Sequence, residues 1–270
     1  VRPFPGPCTA DGAAALSAIA ERPSAALLAF DFDGTLAPIV PDPRDARPHP
    51  RALAALRALA PRAGGVAVVT GRPAATAVEY GGLDALPGAV VLGHYGLERW
   101  EGGRLTSPGE VRGLDEARAG VPALLAELGP LAEGVHVEDK GKALAVHTRR
   151  AARPDAALEA LREPLRLLAE RAGLAVEPGR MVIELRPPGM DKGAALTALV
   201  EERRPGALLF AGDDLGDLPA FAAVRSLRGR GVAGVAVCSG SAEQTALAEQ
   251  ADLVVDGPGG IADLLESLLP

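Results

Sequence analysis

The sequence is poor in several things, and each shortage removes a class of function. Only two cysteines, Cys8 and Cys238, occur in 270 residues, without a CxxC pair. That excludes a disulfide framework and a structural zinc site, and both thiols read as inert. Aromatics are 3% of the chain, too few to build a stacking platform for single-stranded bases. Basic residues are outnumbered, 28 Lys+Arg against 35 Asp+Glu, and the formal charge of −7 opposes a surface that tracks nucleic-acid phosphates. No run approaches the ~18 consecutive apolar residues of a membrane span. The opening stretch VRPFPGPCTADG has no basic flank followed by an apolar run, so no signal peptide is expected there. The expectation is a soluble cytoplasmic protein, with no nucleic acid and no membrane among its partners, working as a monomer.

Hydrophobic residues at 48% and charged residues at 23% are ordinary for a globular chain with a sizeable core. Short apolar runs end in small, hydroxyl or acidic residues: Ala25–Phe30, Val66–Val69, Val90–Leu92, Ala207–Ala211, Val232–Val237 and Leu253–Val255. Runs apolar on both faces suit strands buried in a parallel sheet. Helical patterns lie between them at Arg51–Ala60, Asp191–Arg203, Leu218–Arg228 and Ser241–Gln250. This alternation predicts an α/β fold with a doubly wound, mostly parallel sheet, whose ligands bind beyond the carboxyl ends of the strands. The middle lacks that rhythm. Gly102-Gly103 reads as a hairpin turn after Leu97–Trp100. A helix near Pro122–Leu131, a strand-like Val135–Arg149, a helix over Arg153–Arg171 and strands at Leu174–Glu177 and Met181–Arg186 follow. An α+β domain is therefore expected at 108–188, inserted into a core formed by 1–107 and 189–270.

Acidic residues gather where the strands should end. Asp31-Phe32-Asp33-Gly34-Thr35 follows the first run, and carboxylates at i and i+2 of an extended chain point the same way. Such a pair repels and needs a cation or a shared proton; an acidic turn capping the next helix is the alternative. Gly212-Asp213-Asp214-Leu215-Gly216-Asp217 brings more carboxylates to the same sheet edge. A hard cation with oxygen ligands, Mg²⁺, accounts for the cluster. Asp217 also reads as a helix N-cap. Lys192, one of three lysines, opens a helix behind Asp191, where only a bound anion favours a cation; an exposed lysine is the plainer reading. Thr70-Gly71-Arg72 offers a hydroxyl and backbone N–H groups at the second strand end, or an ordinary strand-to-helix turn.

In this order along an α/β chain, these motifs resemble the haloacid dehalogenase-like phosphatase superfamily, with the insert in the place of a cap domain. Within it the chain is similar to the trehalose-6-phosphate phosphatase family. The similarity rests on Asp31 to Ile39, on Thr70-Gly71-Arg72, and on Val137-Glu138-Asp139-Lys140-Gly141 with Ala145-Val146-His147-Thr148-Arg149. Ile183-Glu184-Leu185-Arg186-Pro187 and Asp191-Lys192-Gly193 complete it. Two departures bear on the substrate. Gly216 and Leu218 stand where the family has Thr and Glu, and Tyr95-Gly96 where it often has His-Gly.

The resemblance implies Mg²⁺-dependent hydrolysis of a sugar phosphate. Asp31 would be the nucleophile and Asp33 the acid and base, with Thr70 and Lys192 on the phosphoryl oxygens. The metal would be held by Asp31, the Asp33 carbonyl and Asp213, with Asp214 and Asp217 orienting that shell. Arg72, Glu138, Lys140, His147, Arg149 and Glu184 would meet substrate. From the residues alone, the five in the insert also read as a solvated sheet face. A phosphatase for sucrose phosphate or glucosylglycerol phosphate, and a non-catalytic sugar-phosphate-binding module, remain open alternatives. His49 and His136 receive no role.

Overall fold

Strands buried on both faces show up as unbroken apolar runs because neither face needs polar residues. A computed structural model, which describes residues 8–179, 181–240 and 245–269, turns each of those runs into a strand. In chain order the elements are α1 (Ala10–Glu21), β1 (Ala26–Phe30), α2 (Pro50–Leu59), β2 (Gly65–Val69), α3 (Ala74–Gly81), β3 (Ala89–Gly93), β4 (Glu98–Glu101) and β5 (Arg104–Thr106). Then come α4 (Leu114–Leu128), β6 (His136–Asp139), β7 (Leu144–His147), α5 (Pro154–Ala172), β8 (Ala175–Gly179) and β9 (Val182–Arg186). The chain ends with α6 (Lys192–Arg203), β10 (Ala207–Gly212), α7 (Leu218–Arg228), β11 (Ala233–Gly240), α8 (Thr245–Ala248), β12 (Leu253–Asp256) and α9 (Gly257–Ser267). The fold is α/β, and no helix is long and apolar enough to cross a membrane among the described residues.

Two compact units divide the chain, Val1–Ser107 with Asp191–Pro270, and Pro108–Met190. The first holds an eight-stranded sheet in the order β12-β11-β10-β1-β2-β3-β4-β5. It is parallel from β12 to β3, and β4 and β5 add antiparallel. Alternate residues of each strand face opposite layers. Leu28, Phe30, Val66, Val68, Leu209 and Val235 pack with α1, α2 and α9 residues such as Leu16, Leu56 and Leu264. Leu27, Ala29, Ala67, Val69, Leu208 and Phe210 pack with Leu196 and Leu199 of α6 and Phe221 and Val224 of α7. Strand order, not strand direction, reverses at β1, with β10 on one side and β2 on the other. That is the switch point where such sheets open a crevice.

The second unit has two layers. A four-stranded sheet, β6-β7-β9-β8, turns Leu144, Val146, Ile183 and Leu185 onto Leu114, Val121, Leu161, Leu165 and Leu168 of α4 and α5. The antiparallel register leaves Glu138, Ala145, Glu184 and Glu177 in one row on the other face, with His136 and His147 in the next.

Three sequence expectations change here. Val135–Arg149 is a hairpin and not one strand, because Lys140 N–H bonds the Ala143 carbonyl at 3.0 Å and Gly141 takes φ +81. Arg149 and Lys140 consequently lie outside strands. The helix expected near Pro122 begins at Leu114 and carries that proline inside it. Of the helix expected over Ser241–Gln250, Thr245–Ala248 is helical, and residues 241–244 lie outside the described ones.

Candidate active site

Strand ends of the first unit deliver the polar groups. Asp31 follows β1 and donates its N–H to the Ala211 carbonyl of β10 at 2.8 Å, which fixes it at the seam between the two strands. Asp213 follows β10, and Thr70 follows β2. Gly34 lets these segments close on each other: its φ is +76, and a Cβ built there would lie 2.0 Å from Asp213 Oδ2. Both the turn and the approach of the Asp213 carboxylate therefore require glycine. From β11, Ser239 Oγ donates to the Gly34 carbonyl at 2.7 Å and holds the turn from its far side.

Lys192, first residue of α6, is the charge centre. Its ammonium is 2.7 Å from Asp31 Oδ1 and 2.7 Å from Asp217 Oδ1, and all three side chains are buried. Burial alone would pull the Lys192 pKa down, but the facing Asp217 and Asp31 outweigh it and hold it well above its ordinary value. Asp217 is not the side-chain cap of α7 that its position suggests. Its second oxygen accepts the N–H groups of Asp213 at 2.9 Å and Asp214 at 3.1 Å.

Asp31, Asp213 and Asp217 place ligating oxygens within 4.8 Å of one another. Burial, with neighbouring carboxylates adding to it, pushes the Asp31 pKa up to about 8 and that of Asp213 to about 10. Three buried carboxylates thus face one buried ammonium, and a divalent cation fits the deficit. Asp217 has both oxygens engaged, so Asp31 and Asp213 are the two with coordination to offer. The Asp214 side chain, expected to orient the metal shell, lies outside this group. Asp214 is exposed and accepts the Gly216 N–H at 2.9 Å, closing the turn over Leu215–Asp217. The Asp33 carboxylate is engaged by Arg72, whose Nε and Nη2 donate to it at 2.6 Å each.

Arg72 thereby spends its guanidinium within the protein. Thr70 is buried, and its Oγ accepts the Arg72 N–H at 3.2 Å, leaving its hydroxyl proton to donate elsewhere. Three further side chains support the site with no signal that composition or spacing carries. Thr35 is fully buried with an unpartnered hydroxyl. Glu98 of β4 accepts the Ala74 N–H at 2.8 Å and so caps α3, where Pro73 has no side chain to do so. Ser239 is the third. Partners distant in sequence define Glu98 and Ser239, and such pairings become visible only in the fold.

In the second unit the polar sheet face is paired in part. Glu138 and His147 meet at 3.0 Å, and Lys140 reaches Glu184 at 2.5 Å. The Glu138 carboxyl lies below its usual range, chiefly through the His147 hydrogen bond. Glu184 is buried, and its Oε1 has no partner, an acceptor left open beside a lysine. Arg149 is exposed two residues beyond β7.

A family model described as trehalose-phosphatase matches residues 29–255. The trehalose-phosphate phosphatase of Mycobacterium avium (strain 104) is 38% identical over 252 residues, covering 88% of this chain and 61% of that protein. That of Mycobacterium tuberculosis (strain H37Rv) is 36% identical over 253 residues, covering 88% and 60%. This chain therefore spans about three fifths of the length of those relatives. Among solved structures, the C-terminal domain of the Candida albicans trehalose-6-phosphate phosphatase aligns with a TM-score of 0.78 at 23% identity, covering 97% of each chain. The Aspergillus fumigatus trehalose-6-phosphate phosphatase aligns with a TM-score of 0.66 at 26% identity, covering 97% of this chain and 98% of that one.

Proposed function

The chain belongs to the trehalose-phosphatase family, and on that premise we propose that it hydrolyses trehalose 6-phosphate to trehalose and phosphate, with Mg²⁺, through an aspartyl-phosphate. The observation that carries the reading is the buried Asp31 carboxylate at the sheet's switch point, with one oxygen on Lys192 and the Asp213 carboxylate close by.

Lys192 occupies Asp31 Oδ1, which leaves Oδ2 to attack phosphorus. The new O–P bond forms as the bond to the sugar oxygen breaks, and Asp33 gives that oxygen a proton. Asp33 then takes a proton from water, whose oxygen attacks phosphorus and frees Asp31. The Thr70 hydroxyl and the Lys192 ammonium donate to phosphoryl oxygens and hold them as negative charge redistributes. Asp217 keeps Lys192 in place and ties down the N–H groups of Asp213 and Asp214. Asp31 and Asp213 would hold the Mg²⁺, assisted by the Asp33 carbonyl, and the ion would neutralise charge on the transferring group. Glu138, Lys140, His147, Arg149 and Glu184 would read the sugar hydroxyls, with the open Glu184 oxygen as one acceptor. The inserted unit would act as a substrate-selecting cap.

Phosphate release from trehalose 6-phosphate, assayed beside sucrose phosphate and glucosylglycerol phosphate, tests this reading. Asp31→Asn is expected to cut turnover on the order of 10⁴-fold or more, as removal of a nucleophile does, with circular dichroism unchanged. Appreciable release by that variant removes Asp31 from the reaction.

A further inference from the structure

Asp33 stands on the turn after β1 with its side chain 40% exposed, and a carboxylate so placed has several rotamers open to it. A proton shuttle needs one of them. Arg72 supplies the selection. Its planar fork grips both carboxylate oxygens at 2.6 Å, the geometry that fixes direction as well as distance. Arg72 is in turn immobilised, with only 12% of its side chain exposed. Its guanidinium carbon is 5.3 Å from the centre of the Phe32 ring and 5.7 Å from that of Tyr80. Arg47 lies over Tyr80 as well, at 4.6 Å. The Arg72 main chain is held too: its carbonyl accepts the His94 N–H at 2.9 Å, and its N–H bonds Thr70 Oγ. In a chain with so few aromatics, two of them form the slot for this one arginine.

We propose that Arg72 is a positioning residue for Asp33, acting by orienting the acid–base carboxylate and not by touching substrate. The proposal rests on the phosphatase reading above. Leaving groups differ in their need for Asp33: a sugar alkoxide requires a proton as it departs, whereas nitrophenolate leaves without one.

The test measures kcat/KM of wild type, Arg72→Ala and Arg72→Lys on trehalose 6-phosphate and on p-nitrophenyl phosphate, together with inhibition by inorganic phosphate. Arg72→Ala is expected to lose about 100-fold on the sugar phosphate, the scale of a misplaced catalytic group. On the nitrophenyl ester the loss stays within about 5-fold, because that leaving group needs no general acid. Arg72→Lys remains as impaired as Arg72→Ala on the sugar phosphate, since an ammonium cannot form the fork. Added guanidinium ion restores part of the Arg72→Ala loss, and inhibition by phosphate is unchanged. Tyr80→Leu, which loosens the slot without touching Asp33, produces the same substrate-selective loss in smaller measure. Equal losses on both substrates, or weakened phosphate inhibition, overturn the proposal and make Arg72 a scaffold or a phosphoryl ligand. Wild-type protein that turns over neither substrate overturns the phosphatase reading, and this proposal with it.

Discussion

Lys192 is the residue on which the charge balance of the site turns. It is the sole buried cation beside Asp31 and Asp217 among the described residues, and both neighbours are themselves cut off from water. Lys192→Met is expected to destabilise the fold by about 3–5 kcal/mol, because it leaves buried carboxylates without their partner. Denaturant melts check the value. Asp217→Asn made in the Lys192→Met background should recover part of the loss, since it removes one of the stranded charges. An unchanged melt would mean that water or ions already compensate these acids. Gly34 is the steric counterpart: a Cβ there would clash with the Asp213 carboxylate at 2.0 Å.

At the scale of elements, the site depends on how α6 meets α7. Gly193 lies so close to Pro219 that a Cβ would be 2.4 Å from the proline carbonyl oxygen. Lys192 and Asp217 stand at the ends of those two helices, and Phe221 packs edge-on to Phe210 of β10 at 6.1 Å to anchor α7. Phe221→Ala is expected to cost about 3–5 kcal/mol in denaturant melts, as large aromatic truncations in cores do. A loss well below that would show that the layer collapses around the gap. The same elements show what a sequence discloses. The six parallel strands were legible as apolar runs, and Asp31, Thr70 and Asp213 were legible as their terminal residues. Lys192 announced itself through its Asp191 cap, which the fold retains with Asp191 Oδ1 accepting the Ala194 N–H at 2.8 Å. By contrast α1, α3 and α9 were not legible, because alanine- and glycine-rich segments such as Ala10–Glu21 lack a polar stripe opposed to an apolar one. Asp33 with Arg72, and Lys192 with Asp217, are pairings between segments far apart in the chain that no local periodicity encodes.

For the molecule as a whole, the acidic centre ties stability to pH. With Asp31 near 8 and Asp213 near 10, the metal-free folded chain keeps protons that the unfolded chain, with carboxyls near 3.9, has already released. Stability must therefore fall as pH rises from about 4 through 10. Lys192, held above its usual value, stays charged in both states across most of that window and leaves the slope unaltered. In EDTA the melting temperature is expected to decline from pH 5.5 to pH 9, and millimolar Mg²⁺ should flatten the decline by taking the place of protons. A pH-independent melt in EDTA would contradict the raised carboxyl values. The insertion of Pro108–Met190 between β5 and α6 has its own consequence for biogenesis. β1 is made early, yet its β10 neighbour emerges from the ribosome only after the entire second unit. Until then the nascent chain carries a bare, water-fearing strand edge, so translation speed and chaperone supply should govern the yield of native protein more than its final stability does.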